Sequence, residues 1–273
     1  IKQYAQLDVR IKYIDKINEG PSLSRKSGTE QAKGKYIQYL DSDDFLQENA
    51  IEYLTDKAEA TNAEVVAAPF FFYYSENKMD ISGHFSFQEM TGMEYFNEIL
   101  SGRAYWSVWS NFLSRSLFER NDISFVPEIS FGEDAILMVQ LLYHTQKVVA
   151  LEQPILYYRQ IESSICHDIT PKRHEDLRTY TKWIERFMIE KGLYESYRNN
   201  LILKNIEMAF LCMHWGYYEN ADKDMKRIVK DIKKRPQLLK CLPGRQRKII
   251  KVYRFSSWLG FLNLMHYKKQ GKL

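Results

Sequence analysis

Apolar and polar positions along this chain follow two rhythms that take turns over the first half and then settle into one. "VRIKYI" (9–14) and "YIQYL" (36–40) are short runs rich in β-branched and aromatic residues, and each predicts a strand. Between them "SLSRKSGTEQAKG" predicts a helix, with Ser22 as its N-cap and Gly34 at the left-handed position beyond its end. "ENAIEYLTDKAEAT" (48–61) sets Ile51, Leu54 and Ala58 at helical spacing, and "AEVVAAPFFFYY" returns to strand. A further helix is expected around "GMEYFNEILSG", then a strand and a short helix in "WSVWSNFLSRSLFERNDISF". "GEDAILMVQLLYHT" (132–145) reads as an amphipathic helix with Glu133 and Asp134 in its first turn, where the helix dipole favours negative charge. "KVVALEQPILYYRQ" reads as two short strands around Pro154. From about Pro171 the period is helical nearly throughout, broken at Gly192, Pro236 and Pro243. Alternating strands and helices predict an α/β sheet with helices packed on it over residues 1–169, followed by an α-helical region over 170–273.

Composition changes this picture in one place. The net charge of +4 hides an asymmetry: from Asp222 onward there are 16 Lys and Arg against 3 Asp and Glu, a net of +13, while the remainder carries −9. Within that basic tail Trp258, Phe261, Leu262 and Met265 recur at helical spacing, so 222–273 is expected to form a basic amphipathic segment. Such a segment suits peripheral contact with an anionic membrane or packing against the rest of the protein. No recognised nucleic-acid fold accompanies it, and nucleic acid is not expected as a partner. The longest uncharged apolar run, "VVAAPFFFYY", is too short to span a bilayer, and the first residues lack the pattern of a signal peptide. Cys166, Cys212 and Cys241 form neither a CxxC pair nor a zinc pattern, which fits a reducing compartment. The expected location is the cytoplasm, with peripheral attachment to the inner face of the cell membrane through the tail; a homo-oligomer is compatible with all of this.

The candidate chemistry gathers in "KYIQYLDSDDF", where Asp41, Asp43 and Asp44 follow directly on a predicted strand. In open α/β sheets, ligands bind beyond the carboxyl ends of the strands. Three acids so close repel one another unless water screens them or a cation neutralises them. A hard divalent ion, Mg²⁺ or Mn²⁺, held by one or two carboxylates and completed by substrate phosphates, meets that need. The alternative is a solvated acidic loop with Asp44 capping the helix that follows.

The flanking residues extend the pattern. Asn18, Gly20, Arg25, Gly28, Ala32, Gly34, Tyr36, Leu40, Asp41, Asp43 and Asp44 stand in the order and spacing that resembles the nucleotide-sugar-binding half of family 2 glycosyltransferases of the GT-A fold, a Rossmann-like sheet. Trp109, Glu133, Asp134, Tyr157, Tyr158, Arg159, Ser164 and Ile165 are similar to the same family's acceptor half. The resemblance implies transfer of a sugar from a nucleotide diphosphate donor to a saccharide or lipid-linked saccharide hydroxyl, inverting and metal-dependent, in bacterial surface polysaccharide synthesis. It also implies roles: Asp134 as general base; Arg25, Asp41, Asp43 and Asp44 on the donor; Trp109, Glu133 and Arg159 on acceptor or phosphate; Asp43 with His167 on Mn²⁺ or Mg²⁺. Two departures stand out. Lys26 replaces the usual Asn after Arg25. The family's first base-gripping strand and loop have no counterpart, so the chain opens roughly 40 to 50 residues into such a domain. A glycosyltransferase-like module without turnover is one alternative; a phosphohydrolase of the haloacid-dehalogenase type, which also sets Asp-x-Asp after a strand, is the other.

Overall fold

The structure, a computed structural model, describes residues 1–160 and 170–269. Its chain divides into two compact units. One runs over Ile1–Phe96 and again from Tyr105 to the last strand; the other takes Asn97–Ala104 with the helices from Pro171 on.

The first unit opens with a short helix α1 (Lys2–Leu7), then α2 (Gly20–Gln31), β1 (Tyr36–Gln38), β2 (Phe45–Leu46), α3 (Ala50–Thr61), β3 (Val65–Ala67), β4 (Phe71–Ser75), β5 (Lys78–Ile81) and β6 (Glu89–Met90). Helix α4 (Gly92–Leu100) leads out of it, and β7 (Asn111–Ser114), α5 (Ser116–Glu119), α6 (Glu133–His144), β8 (Val148–Ala150) and β9 (Leu156–Arg159) complete it. The strands form two sheets, ordered β1-β7-β3-β8-β6 and β2-β9-β4-β5. Pro69 and Pro154 explain the division, since proline cannot donate to a ladder. At Pro69 one predicted strand breaks in two, and Pro154 separates the two strands predicted around it; at each proline the chain passes from the first sheet to the second. The pairing survives the break: β3 runs parallel to β8, with Val65 opposite Val148, and β4 runs parallel to β9, with Phe71 opposite Tyr157.

The core of this unit lies where α3 meets the sheets. Leu54 and Ala58 are fully buried with Ala50, against Val66, Phe70, Phe112, Val149 and Leu156. Ala50, not Ile51, shares their face; Ile51 is exposed. Helix α6 was expected to be amphipathic, yet every residue from Ala135 to Leu142 is buried. Its one polar residue there, Gln140, accepts from Ser124 N–H (2.9 Å) and donates to Ser124 O (3.0 Å) and Ile136 O (2.9 Å), which satisfies the amide. The start of α4 presses on the end of α6 so closely that a Cβ on Gly92 would fall 2.0 Å from Leu142 O.

Three further local expectations fail. Residues 9–14 form no strand: Val9, Tyr13 and Ile14 are exposed and no strand pairs with them, so apolar composition alone did not make one. Helix α2 begins two residues before Ser22, because Pro21 sits at its first turn with φ already set for a helix. Gly20, at φ 85°, supplies the left-handed entry that was expected of Gly34 at the exit.

The second unit is helical: α7 (Pro171–Glu190), α8 (Tyr194–His214), α9 (Tyr218–Lys234), α10 (Gly244–Phe255) and α11 (Ser257–Lys269). Gly192 (φ 70°) and Gly216 (φ 88°) turn the chain between α7, α8 and α9. Of these two breaks the sequence pattern marks only the first. Pro236 opens a 3-10 turn, Pro236–Cys241, before α10. Ile206, Met213, Met225, Ile232 and Ile249 are wholly buried, and Tyr253 Oη lies 3.1 Å from Asp222 Oδ1. The expected single apolar face of α11 is divided: Trp258 and Leu262 are exposed, Phe261 and Met265 are half-buried beside a cavity shared with Tyr217 and Tyr218, and Leu264 is buried. Cys212 is buried and Cys241 exposed, both free thiols. Among the described residues no helix is long and apolar enough to cross a membrane.

Candidate active site

Asp41 to Asp44 form the turn that carries the chain from β1, at an edge of the first sheet, to β2, at an edge of the second. The Asp44 N–H donates to Asp41 O at 3.2 Å, a four-residue turn for which Asp and Ser are well suited. The acidic side chains meet different surroundings. Asp41 is 41% exposed and faces Arg25. Asp43 is exposed, with no hydrogen bond or ion pair to a described residue. Asp44 is buried; its Oδ1 accepts the Arg159 N–H at 2.9 Å and its Oδ2 has no hydrogen-bond partner. Burial pushes its carboxyl up to about 6, against the lowering effect of that N–H. Asp44 therefore does not cap α3, whose N-cap is Asn49. It ties the acidic turn to β9.

Arg25 draws the rest together. It lies in the middle of α2, on the side facing α6, and its side chain is 11% exposed. One guanidinium nitrogen is 2.6 Å from Glu133 Oε1 and 2.9 Å from Asp134 Oδ1; the other is 3.2 Å from Asp41 Oδ1. Burial opposes the charge on Arg25, and the fields of Asp134, Glu133 and Asp41 overcome it, so its pKa rises. Asp134 Oδ2 accepts the Val108 N–H at 3.1 Å. Burial pushes Asp134 up to about 7, with Arg25 pulling down and Glu133 pushing further up. Glu133 is raised as well, burial again outweighing Arg25. The dipole at the N-terminus of α6 would lower both acids; desolvation dominates.

Around this cluster Thr29, one turn on from Arg25, donates to Arg25 O at 2.8 Å and lies 2.6 Å from Tyr39 Oη. Burial raises the Tyr39 phenol to about 12. Neither Tyr39 nor the Val108 amide was anticipated; the former stood in the predicted strand before the acids, and a backbone N–H leaves no mark in a sequence. Lys26 reaches Glu30 at 3.8 Å and is half exposed, so the residue that departs from the family pattern takes no part in the Arg25 cluster.

The remaining predicted site residues are dispersed. The Trp109 side chain is 7% exposed, stacked on Tyr158 (centroids 5.1 Å apart) and edge-on to Phe70 (4.7 Å). The Arg159 guanidinium lies over the Phe45 ring at 5.6 Å. His167 lies outside the described residues. Among the described residues no three His, Cys, Asp or Glu side chains gather so as to hold a metal ion.

Residues 1–123 match the model of Glycosyl transferase family 2. The glycosyltransferase EpsJ of Bacillus subtilis is 25% identical over 240 residues, covering 85% of this chain and 69% of EpsJ. EpsH of the same organism is 25% identical over 215 residues, which are 78% of this chain and 62% of EpsH. The crystal structure of S. aureus TarS 1–349 aligns with a TM-score of 0.62 at 14% identity, over 92% of this chain and 72% of that one. TarS 1–349 in complex with UDP-GlcNAc aligns at 0.54 and 12% identity, over 96% of this chain and 75% of that one. The chain thus spans about two thirds of the length of EpsJ and EpsH. Residues 1–123 thus match the family that the resemblance named, and the fold is GT-A, as in TarS.

Proposed function

We propose that this protein moves a sugar from a nucleoside diphosphate donor to a hydroxyl of a saccharide or lipid-linked saccharide, with inversion, in the assembly of bacterial surface polysaccharide. One observation carries the reading: a single guanidinium, Arg25, bridges Asp41 of the acidic turn and the Glu133–Asp134 pair, so motifs some 90 positions apart in the chain converge on one site. The UDP-GlcNAc complex of TarS supports a nucleotide sugar as donor.

In this reading the acceptor hydroxyl gives its proton to Asp134 as its oxygen bonds the anomeric carbon. The bond from that carbon to the diphosphate oxygen breaks, and its electron pair leaves with the diphosphate. A single displacement inverts the centre. Asp134 suits the proton transfer because a carboxyl raised to about 7 is half ionised near neutral pH and is a stronger base than an exposed one. Arg25 holds the Glu133–Asp134 pair in place and keeps three neighbouring acids from expelling one another. Asp41 and Asp43 are assigned to the donor, with buried Asp44 holding their turn to β9, and Glu133 and Arg159 to acceptor or phosphate; buried Trp109 is left to its packing on Tyr158 and Phe70.

Mn²⁺ or Mg²⁺ fits the acidic turn, since Asp43 offers an exposed carboxylate unengaged by any described residue and such ions take one or two carboxylates with water and phosphate. When bound, the ion would stabilise charge on the leaving diphosphate. His167 is a candidate second ligand. The test is release of nucleoside diphosphate from a panel of nucleotide sugars, with and without Mn²⁺. Metal-stimulated release with one donor is expected; no release with any of them, acceptor present, overturns the reading in favour of a module without turnover.

A further inference from the structure

The helices α10 and α11 expose what soluble surfaces usually bury. Phe255 is 85% exposed and Trp258 68%, with Leu259 and Leu262 open beside them on α11. Within α10 the exposed stripe is Lys248, Lys251 and Phe255, opposite the buried Ile249, Ile250 and Tyr253. On α11 the exposed stripe is Trp258, Leu259 and Leu262, opposite Gly260 and Leu264. The two helices are locked to each other. A Cβ on Gly260 would fall 2.4 Å from the Tyr253 ring, so this pair packs ring against backbone and its outward stripes are fixed. Lys248 and Lys251 form no ion pair with a described residue, and from Ile232 to the C-terminus the chain holds 12 Lys and Arg and no Asp or Glu.

We infer that the α10–α11 pair docks on an anionic lipid bilayer, with Phe255, Trp258 and Leu262 entering the interface and Lys248 and Lys251 meeting the headgroups. Aromatic residues at the headgroup level, flanked by lysines, are what interfacial helices present. A two-fold contact between copies through the same face would set Lys248 and Lys251 near their own images with no acid in the segment to offset them, which disfavours a second copy as the occupant. Nucleic acid would use the lysines and leave the apolar stripe in water. Membrane contact is thereby narrowed from residues 222–273 to one helix pair, and it depends on no step of the transfer reaction.

The experiment is co-sedimentation of the full chain with vesicles of phosphatidylcholine alone or mixed with phosphatidylglycerol. Binding is expected to the mixed vesicles, to fall with added salt, and to come with a blue shift in tryptophan emission that W258S abolishes. F255S with W258S should weaken partitioning by at least about tenfold, and K248E with K251E by about 25-fold or more, each lysine near the surface being worth about fivefold. These positions are exposed, so an unchanged melting temperature confirms that the variants fold. Equal binding by wild type and both double variants overturns the inference, as does equal binding to the two vesicle types. A drop in sedimentation mass in F255S/W258S, without vesicles, would overturn it in favour of a second copy.

Discussion

Asp43 and Asp134 are the same residue type, and the fold has made them opposites. Asp43 sits on an exposed turn with no described partner, free to take up a cation or a phosphate-bound ion. Asp134 is held from two directions, by Arg25 and the Val108 N–H, and burial, with repulsion from Glu133, lifts its carboxyl to about 7. Composition cannot separate them. Burial, not residue type, is what raises Asp134 and makes it the more basic acid.

The sharpest way to break that contrast is to exchange the acids for amides one at a time. Asp134→Asn removes the proposed base, and kcat should fall by about 10² to 10⁴ with KM nearly unchanged; turnover within a few-fold of wild type would end the assignment. In the wild type kcat/KM should climb as pH rises through about 7, because the ionised form is the active one. Arg25→Met acts on the same buried side through its counter-charge. It leaves Glu133, Asp134 and Asp41 without their counter-charge, and stability by urea titration should drop by about 3 to 5 kcal/mol at pH 8. The loss should shrink toward pH 5, where Glu133 and Asp134 take up protons. A uniform loss at both pH values would mean that Arg25 contributes by packing alone.

Asp43→Asn should do the reverse of Arg25→Met. Its side chain is exposed and makes no hydrogen bond or ion pair to a described residue, so stability should hold within about 0.5 kcal/mol. Donor turnover at limiting Mn²⁺ should fall by at least about tenfold, with saturating metal restoring part of it. Loss of stability would show that the turn depends on this acid for its shape; unchanged turnover would remove Asp43 from the donor side.

Both acids of this contrast stand out in the sequence itself. The alternation of strand and helix, the acid cluster after "YIQYL" and the Glu-Asp pair opening α6 all carry local signals, because a strand end and a helix N-terminus are set by neighbours within a few residues. What the sequence hides is long-range. Arg25 and Glu133 are 108 positions apart and their ion pair has no local signature. Residues 9–14 resemble a strand because composition reports apolar side chains and not whether another strand lies beside them. The division of one predicted strand at Pro69 and the break at Pro154 are written in the sequence; their meaning, a change of sheet, requires the pairing partners.

Asp44 tests the contrast at its midpoint, being of the acidic turn by position yet buried like Asp134. Its ordinary pKa of 3.8 is raised to about 6, first by burial, with the Arg159 N–H opposing. The sign follows from the raised value: the folded state holds the proton more tightly than the unfolded chain, so the stabilisation is full below the ordinary value, falls away between it and about 6, and is gone above. Stability should therefore decline by about 1 kcal/mol across that window once screening by water is allowed for. Asp44→Asn cannot ionise and should flatten this decline while keeping an oxygen for the Arg159 N–H. The slope is the quantity to read, because the variant places an amide where the unpartnered Oδ2 sits and shifts the whole curve. Parallel curves for wild type and variant would mean that water reaches Asp44 and that burial lifts the acids of α6 but not this one.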